Sequence, residues 1–134
     1  MLKKLNLLLV GIGMGFAQFT WAAGNPEKGK ALYAVCIACH GTDGAGNKAL
    51  NSPRIAGQEI WYLERQLKNF KTGVRGANSK DVYGMQMRPM AMTLPNDQAI
   101  ADVAAYVNGL KAKPPVAIIK GDMSAGKAAY MICQ

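Results

Sequence analysis

A pair of cysteines followed by the only histidine of the chain constrains this sequence more than any other feature. Cys36 and Cys39 are separated by two residues, and His40 follows directly. On a short helical segment, positions three apart lie on one face, so both thiols can reach one edge of a planar group. The Cys-x-x-Cys-His spacing is that of c-type haem attachment, in which two thiols bind the vinyl groups and the histidine ligates the iron. The sequence therefore predicts one covalently bound haem c, with His40 as an iron ligand.

Three other interpretations of the cysteine pair remain open. A structural zinc site takes four protein ligands, so it would have to recruit Cys133, the third cysteine of the chain. A thioredoxin-like redox pair is expected beside alternating strands and helices, which the sequence does not show. A plain disulfide between Cys36 and Cys39 is the third. We favour haem attachment because it explains the cysteines and the histidine together.

Residues 1–23 have the pattern of an export signal. Two lysines precede an apolar run at residues 5–19, and Ala22 and Ala23 offer cleavage sites. The run is short for a membrane-spanning helix, and an uncleaved anchor is the alternative. Since c-type haem is attached outside the cytoplasm, the signal and the cysteine pattern together predict a periplasmic protein.

Apolar residues recur with helical spacing in three later segments. These segments are residues 26–36, residues 59–70, and a stretch from Pro95 or Asn96 to residue 110. In the first, Leu32 and Val35 are expected to face the core. Residues 73–79, rich in glycine and small polar residues, are expected to form a loop. No useful length of chain alternates with the period of a strand, so the predicted fold is all-α, with helices packed around a covalently attached haem.

The segment that leads to the first cysteine is repeated near the end of the sequence. Residues 24–36 match residues 121–133 at a constant offset of 97, with six of thirteen positions identical. Cys133 is the counterpart of Cys36, so we expect it to begin a second attachment motif and to hold a second haem in a longer protein. The alternative is a complete protein with a short tail helix and a free thiol.

The sequence therefore predicts four parts. Residues 1–23 form a signal peptide, 24–112 a domain with covalently attached haem, 113–120 a linker, and 121–134 the start of a second, truncated domain of the same kind. Prolines at 114 and 115 support the linker, because the residue before a proline avoids the helical region.

Several motifs together resemble those of class I cytochromes c, and the dihaem cytochrome c4 type in particular. They are the attachment motif, the Gly29 and Tyr33 pair, residues 53–58, the methionine segment at residues 85–92, and residues 104–106. The likeness covers nearly all of residues 24–112 and the start of the second domain. The resemblance implies the class I cytochrome c fold and a periplasmic location.

The second axial ligand of the iron is expected among four methionines. An iron that transfers electrons favours two filled axial positions, and methionine opposite histidine raises the potential. Spacing alone does not choose among Met85, Met87, Met90 and Met92, and those that do not ligate would pack the core or the haem edge. In the family resembled, the ligand precedes a Leu/Phe-Ser pair that opens the last helix. Leu94 and Pro95 occupy that place, with Pro95 expected at the first helical position, so the resemblance implies Met87 and then Met90.

The resemblance implies two further contacts. Gly29 and Tyr33 would meet Tyr106 where the first and last helices cross. The Pro53 carbonyl would accept a hydrogen bond from His40 Nδ1, which orients the ring and tunes the metal.

By family likeness the function is electron transfer, not enzymatic catalysis. The iron would cycle between Fe(II) and Fe(III) and exchange electrons with redox partners such as a quinol-oxidising complex and a membrane-bound terminal oxidase. The alternative is a haem-bearing subunit or domain of a redox enzyme, either a dehydrogenase or a peroxidase. Peroxidase chemistry needs an open iron position and a distal base, and the chain has no histidine besides His40.

The formal net charge of +8 bears on partners. Five basic residues lie around the loop and the methionine segment, where they either steer an acidic partner or form a solvated face: Lys68, Lys71, Arg75, Lys80 and Arg88. Positive charge also allows association with an anionic membrane surface. Nucleic acid is not an expected partner, because the basic residues are dispersed and the protein is exported.

Overall fold

The computed structural model describes residues 23–114 and 120–133, and within these ranges the chain is helical. The α-helices are α1 (Pro26–Leu32), α2 (Ile37–His40), α3 (Ile60–Thr72), α4 (Val82–Met92), α5 (Asp97–Gly109) and α6 (Met123–Tyr130). Strand pairing in the described ranges is limited to one isolated bridge between Asn47 and Ser52. The all-α prediction is confirmed. Most of the predicted signal and most of the predicted linker lie outside the described residues, in which no helix is long and apolar enough to cross a bilayer.

The helix before the cysteines changes its pitch. The Asn25 side chain caps α1 by accepting hydrogen bonds from the next free backbone N–H groups, and a 3₁₀ turn, Tyr33–Val35, follows Leu32. A 3₁₀ turn has three residues per turn and therefore shifts the register of the side chains. Val35 is 46% exposed, but its side chain lines the apolar cavity beside the cysteines and is not part of the core packed between the helices. Leu32 is half-buried and packs against the core as expected.

Helices α1 and α5 cross at Gly29. A Cβ atom at this position would overlap the carbonyl oxygen of Asp102 and would lie 2.9 Å from the Tyr106 Cβ. Only glycine therefore allows this approach of the two backbones. One turn further on, the buried Tyr33 ring packs 5.3 Å from the Tyr106 ring, centroid to centroid. The contact that the family resemblance implied is confirmed.

A buried carboxylate ties the start of α1 to α5. Asp102 is only 3% exposed, and its Oδ1 accepts hydrogen bonds from the Asn25 backbone N–H at 2.7 Å and from Gln98 Nε2 at 2.8 Å. The Asn25 hydrogen bond is the main cause that holds the pKa of Asp102 below its ordinary value. A lowered pKa in the folded state stabilises the fold at neutral pH, and this stabilisation is lost as the pH falls through the lowered pKa.

The core lies between α1, α3 and α5. Its buried residues include Tyr33, Leu63, Leu94, Ile100, Val103 and Val107. Helix α5 begins after Asn96, whose side chain accepts from the Ala99 N–H at 2.9 Å. Pro95 thus precedes the cap residue, and the expectation that it occupies the first helical position is wrong.

The methionine segment forms a helix that the sequence analysis did not assign. Helix α4 contains Pro89, which lacks the N–H that would bond to the Met85 carbonyl. Its start is secured by Asp81, whose Oδ1 accepts from the Gly84 N–H at 3.0 Å. A good N-cap and contact with α3 therefore maintain a helix that its proline would disfavour.

Helix α6 repeats the local structure of α1. Asp122 caps it by accepting from the N–H groups of Ser124 and Ala125 at 2.8 and 3.1 Å, each 97 positions after its α1 equivalent. Every residue at 120–133 is exposed, however, and a Cβ at Gly126, the counterpart of Gly29, would meet nothing within 4 Å. The segment shares the capping of α1 but not its packing.

The two equivalent glycines allow a matched test of the helix crossing. Gly29→Ala should lower the free energy of unfolding of the haem-loaded protein by about 1–3 kcal/mol, because the helices must separate to admit the methyl group. Gly126→Ala should change it by less than about 0.5 kcal/mol, since its surroundings are open. Denaturant titration followed by circular dichroism measures both, and equal effects would contradict the crossing.

Candidate functional site

A cavity of about 540 Å³ opens beside the cysteine segment. This volume is in the range of small-molecule and cofactor sites. Apolar side chains dominate its wall, and they come from elements distant in sequence, such as Leu63 of α3, Met87 of α4 and Val107 of α5. The folded chain thus builds an apolar chamber against the residues that the sequence analysis singled out.

Both cysteines of the attachment motif line this cavity. The backbone N–H groups of Cys39 and His40 donate to the Cys36 carbonyl at 3.2 and 2.9 Å, which forms one tight helical turn. The two thiols consequently lie on one wall, and both are free. Burial, with a smaller effect of Cys39, raises the pKa of Cys36 to about 11. Before haem is attached, the Cys36 thiol therefore keeps its proton at neutral pH.

The His40 ring is held in one orientation. The residue is buried, and its Nδ1 lies 2.9 Å from the Pro53 carbonyl oxygen. A carbonyl oxygen can only accept, so Nδ1 donates the hydrogen and Nε2 keeps a lone pair for a metal. The hydrogen bond that the family resemblance implied is confirmed.

Residues 53–58, which we call the Pro53 loop, are fixed on two sides. The Ile55 and Ala56 N–H groups both donate to the Gly44 carbonyl, at 2.9 and 3.0 Å. The Gly57 N–H donates to the Val107 carbonyl of α5 at 3.3 Å. These bonds leave the Pro53 carbonyl little freedom to move away from the histidine.

Gly46 lies directly against this loop. Its φ of +84° is in the left-handed region, and a Cβ there would come within 2.6 Å of the Pro53 carbonyl carbon and 2.7 Å of the Arg54 nitrogen. Any larger residue would therefore displace the peptide that accepts the His40 hydrogen bond. The glycine-rich turn after the histidine has a packing role that the sequence analysis did not identify.

Two of the four candidate methionines reach the cavity. Met87 and Met90 line it, whereas Met85 and Met92 are not among its lining residues. Met87 is half-buried and Met90 is 37% exposed. Helical spacing explains why Met87 and Met90 both reach the cavity, because positions three apart share one face of α4. This signal was present in the sequence but could not be used without assigning the helix.

The sequence analysis did not predict that Tyr33, Gln66 and Arg75 line the cavity. Tyr33 donates from its hydroxyl to the Gly41 carbonyl at 2.8 Å, and burial raises its pKa to about 12, so it remains a donor. Arg75 donates to Gln66 Oε1 at 2.7 Å and lies 4.3 Å over the Phe70 ring. Gln66 follows Leu63 by three residues and so shares a face of α3 with it. This spacing was the sequence signal that could have placed Gln66 at the cavity.

The site brings together Cys36, Cys39, His40, Pro53 and Met87, but not Cys133. Cys133 is exposed and is not a lining residue. The zinc-site interpretation of the cysteine pair gains no support within residues 23–114 and 120–133, where no three His, Cys, Asp or Glu side chains form a metal cluster. The strand and helix alternation of a thioredoxin-like pair is also missing from these ranges. Two thiols, an imidazole lone pair and an apolar chamber fit a covalently attached haem.

Gly46 and Gly57 provide a matched test of this geometry. Both have positive φ, so alanine at either costs about 1–2 kcal/mol in backbone strain, but a Cβ at Gly57 would meet nothing within 4 Å. Gly46→Ala should lower the free energy of unfolding by about 1–3 kcal/mol more than Gly57→Ala does. It should also speed hydrogen exchange at His40 Nδ1. Denaturation and proton NMR of the haem-loaded protein measure the two effects. Identical behaviour of the two variants would show that Gly46 does not support the Pro53 loop.

Comparison with known proteins agrees with this geometry. The family model for cytochrome c matches residues 26–111. Cytochrome c4 of Azotobacter vinelandii is 39% identical over 112 residues, which are 81% of this chain and 51% of that protein. A thiosulfate dehydrogenase electron acceptor of Thiomonas intermedia is 37% identical over 111 residues, 83% of this chain and 45% of that protein.

Solved structures give the same result. Reduced recombinant cytochrome c4 from Pseudomonas stutzeri matches with a TM-score of 0.56 and 26% identity, over 67% of this chain and 53% of that chain. The class I cytochrome c fold is therefore confirmed. The chain spans about half the length of the curated cytochromes c4 that it matches. The family match covers most of the described residues and includes the whole cavity wall, and we conclude that this chain belongs to the cytochrome c family and carries covalently bound haem c.

Proposed function

We propose that the chain is a periplasmic electron-transfer cytochrome whose haem is bound through Cys36 and Cys39, with His40 and Met87 as axial ligands. The observation that carries this proposal is that a buried imidazole with a free Nε2 and a half-buried methionine line the same apolar cavity. Met87 is favoured over Met90 because it is the less exposed of the two.

The bound haem would supply a one-electron Fe(II)/Fe(III) couple. The role of the protein would be to keep the surroundings of the iron nearly unchanged when the charge of the iron changes. The Pro53 carbonyl fixes the His40 ring, α4 presents Met87 from a capped helix, and apolar residues such as Leu63 exclude water from the chamber. Filled axial positions and a dry, rigid site lower the reorganisation that electron transfer requires, and methionine ligation raises the potential.

A carrier agrees better with these residues than a peroxidase. Peroxidase chemistry needs a distal base, but His40 is the only histidine in the chain and its Nδ1 is engaged by Pro53. The relative from Thiomonas intermedia is named an electron acceptor of thiosulfate dehydrogenase. This name favours a dehydrogenase as a second class of electron donor, beside a quinol-oxidising complex, with a membrane-bound terminal oxidase as acceptor.

The basic residues near α4 support attraction of an acidic partner only at long range. Lys68 forms an ion pair with Asp97 at 3.1 Å, Lys71 donates to the Leu94 carbonyl, and Arg75 is held by Gln66. Side chains engaged in this way offer few direct contacts. Their charges still add to the positive field, which steers acidic redox proteins or draws the protein to an anionic membrane surface.

The repeated segment supports the proposed domain division. We propose residues 1–23 as a signal peptide, 24–112 as the haem domain, 113–120 as the linker and 121–134 as the start of a second domain. Equal capping of α1 and α6 at an offset of 97 supports the repeat. Cys133 would then provide the first thioether of a second haem.

The assignment of Met87 is tested by two leucine variants. Met87→Leu should abolish the weak ferric charge-transfer band of methionine-ligated iron and lower the midpoint potential, because the thioether sulfur favours Fe(II). Met90→Leu should keep the band. Absorption spectroscopy and redox titration of the haem-loaded proteins measure this, and the opposite pattern would transfer the assignment to Met90.

The carrier proposal is tested by ligand access. The ferric protein should bind cyanide slowly and show little peroxidase activity, since both axial positions are filled. Met87→Ala should bind cyanide much faster, with Met90→Leu as the control. Stopped-flow absorbance measures the rates. Fast binding by the unmodified protein would favour the enzyme alternative.

A further inference from the structure

Arg54 connects the Pro53 loop to the chain segment that follows α5. Its Nη1 donates to the Lys113 carbonyl at 2.7 Å and its Nη2 to the Ala112 carbonyl at 3.1 Å. Its Nε donates to the Ala56 carbonyl at 3.3 Å, within the loop itself. The residue is half-buried and also lines the haem cavity.

The acceptors indicate a geometric role. The three hydrogen bonds described for Arg54 all go to neutral backbone carbonyls. The planar guanidinium presents donors in a fixed fork, so it can hold several acceptors in one arrangement. Two of these acceptors lie 58 and 59 positions away along the chain. Arg54 therefore fixes the loop relative to the point where the chain leaves α5.

The three hydrogen bonds of Arg54, which we call the Arg54 clamp, act on the peptide unit that accepts the hydrogen bond from His40. The Pro53 carbonyl and the Arg54 nitrogen belong to one planar peptide unit. Fixing the Arg54 Cα therefore limits rotation of the carbonyl that accepts the hydrogen bond from His40 Nδ1 at 2.9 Å. The Ile55 and Ala56 bonds to Gly44 restrain the other side of the same residue.

We infer that Arg54 is a positioning residue for His40: it holds the Pro53 carbonyl on Nδ1 and so couples the segment that follows α5, at Ala112 and Lys113, to the reduction potential of the haem. This inference rests on the proposed ligation of iron by His40. A hydrogen bond at Nδ1 makes the imidazole a stronger donor to the metal, which stabilises Fe(III) and lowers the potential. Loosening the clamp raises the potential.

Loss of the Arg54 charge should change the reduction potential in the opposite direction to loss of its hydrogen bonds. The two contributions can therefore be separated by experiment. Removing a positive charge near the haem stabilises Fe(III) and lowers the potential. Arg54→Lys keeps the charge but loses the planar fork, so it isolates the clamp. Arg54→Gln removes both. Arg65→Lys is the matched control, because Arg65 is exposed on α3 and does not line the cavity.

The experiment uses the haem-loaded full chain and two measurements. Redox titration should give a higher midpoint potential for Arg54→Lys than for the unmodified protein, and a lower one for Arg54→Gln than for Arg54→Lys. Proton NMR should show His40 Nδ1–H exchange about tenfold faster in Arg54→Lys, as expected when one neutral hydrogen bond is weakened. Arg65→Lys should match the unmodified protein in both.

Several results would overturn the inference. An unchanged potential and exchange rate in Arg54→Lys would show that the fork does not position Pro53. A lower potential in Arg54→Gln with no effect in Arg54→Lys would leave Arg54 with a charge effect alone. Failure of both variants to fold, while Arg65→Lys folds normally, would make Arg54 purely structural. A spectrum of the unmodified protein without histidine ligation would instead refute the proposed function, so the two failures are distinguishable.

Discussion

The close crossing of α1 over α5 at Gly29 is the contact on which the haem site depends. It brings Tyr33 onto the Tyr106 ring, and the Tyr33 hydroxyl then bonds to the Gly41 carbonyl directly after the histidine. The attachment motif is thus held at both ends, by the packed tyrosine before Cys36 and by its hydrogen bond after His40. A short turn that would be marginal by itself is stabilised because the core fixes the residues around it.

The second half of the site is built from chain segments that contain no cysteine or histidine. The Pro53 loop supplies the carbonyl that orients His40, and the loop is itself bonded to Gly44 and to the end of α5. Arg54 extends this anchoring to Ala112 and Lys113, which follow α5. The orientation of the His40 ring therefore depends on backbone contacts spread over about half of the chain. Gly46 contributes twice, because its N–H donates to the His40 carbonyl at 2.9 Å and its lack of a side chain leaves room for the Pro53 peptide.

Comparison of α1 with α6 separates local from tertiary effects. Asn25 and Asp122 cap their helices with the same pair of hydrogen bonds, because capping depends only on a few adjacent residues. Gly29 is buried against α5, whereas Gly126 has open space around it. The repeat visible in the sequence thus predicted a helix correctly, but burial of its glycine face requires a partner helix, which α6 lacks within the described residues.

The sequence by itself determined the all-α class, the haem attachment pattern and the three main helices, because spacing, capping and periodicity are properties of neighbouring residues. It did not determine that residues 82–92 form a helix despite Pro89, nor which methionines face the cavity, nor that Val35 lines the cavity and not the packed core. The Arg54 clamp was equally hidden, since its acceptors are backbone carbonyls that no side-chain pattern marks. These features were decided by the tertiary structure, because contacts between residues far apart in the chain outweigh the local preferences that a sequence displays.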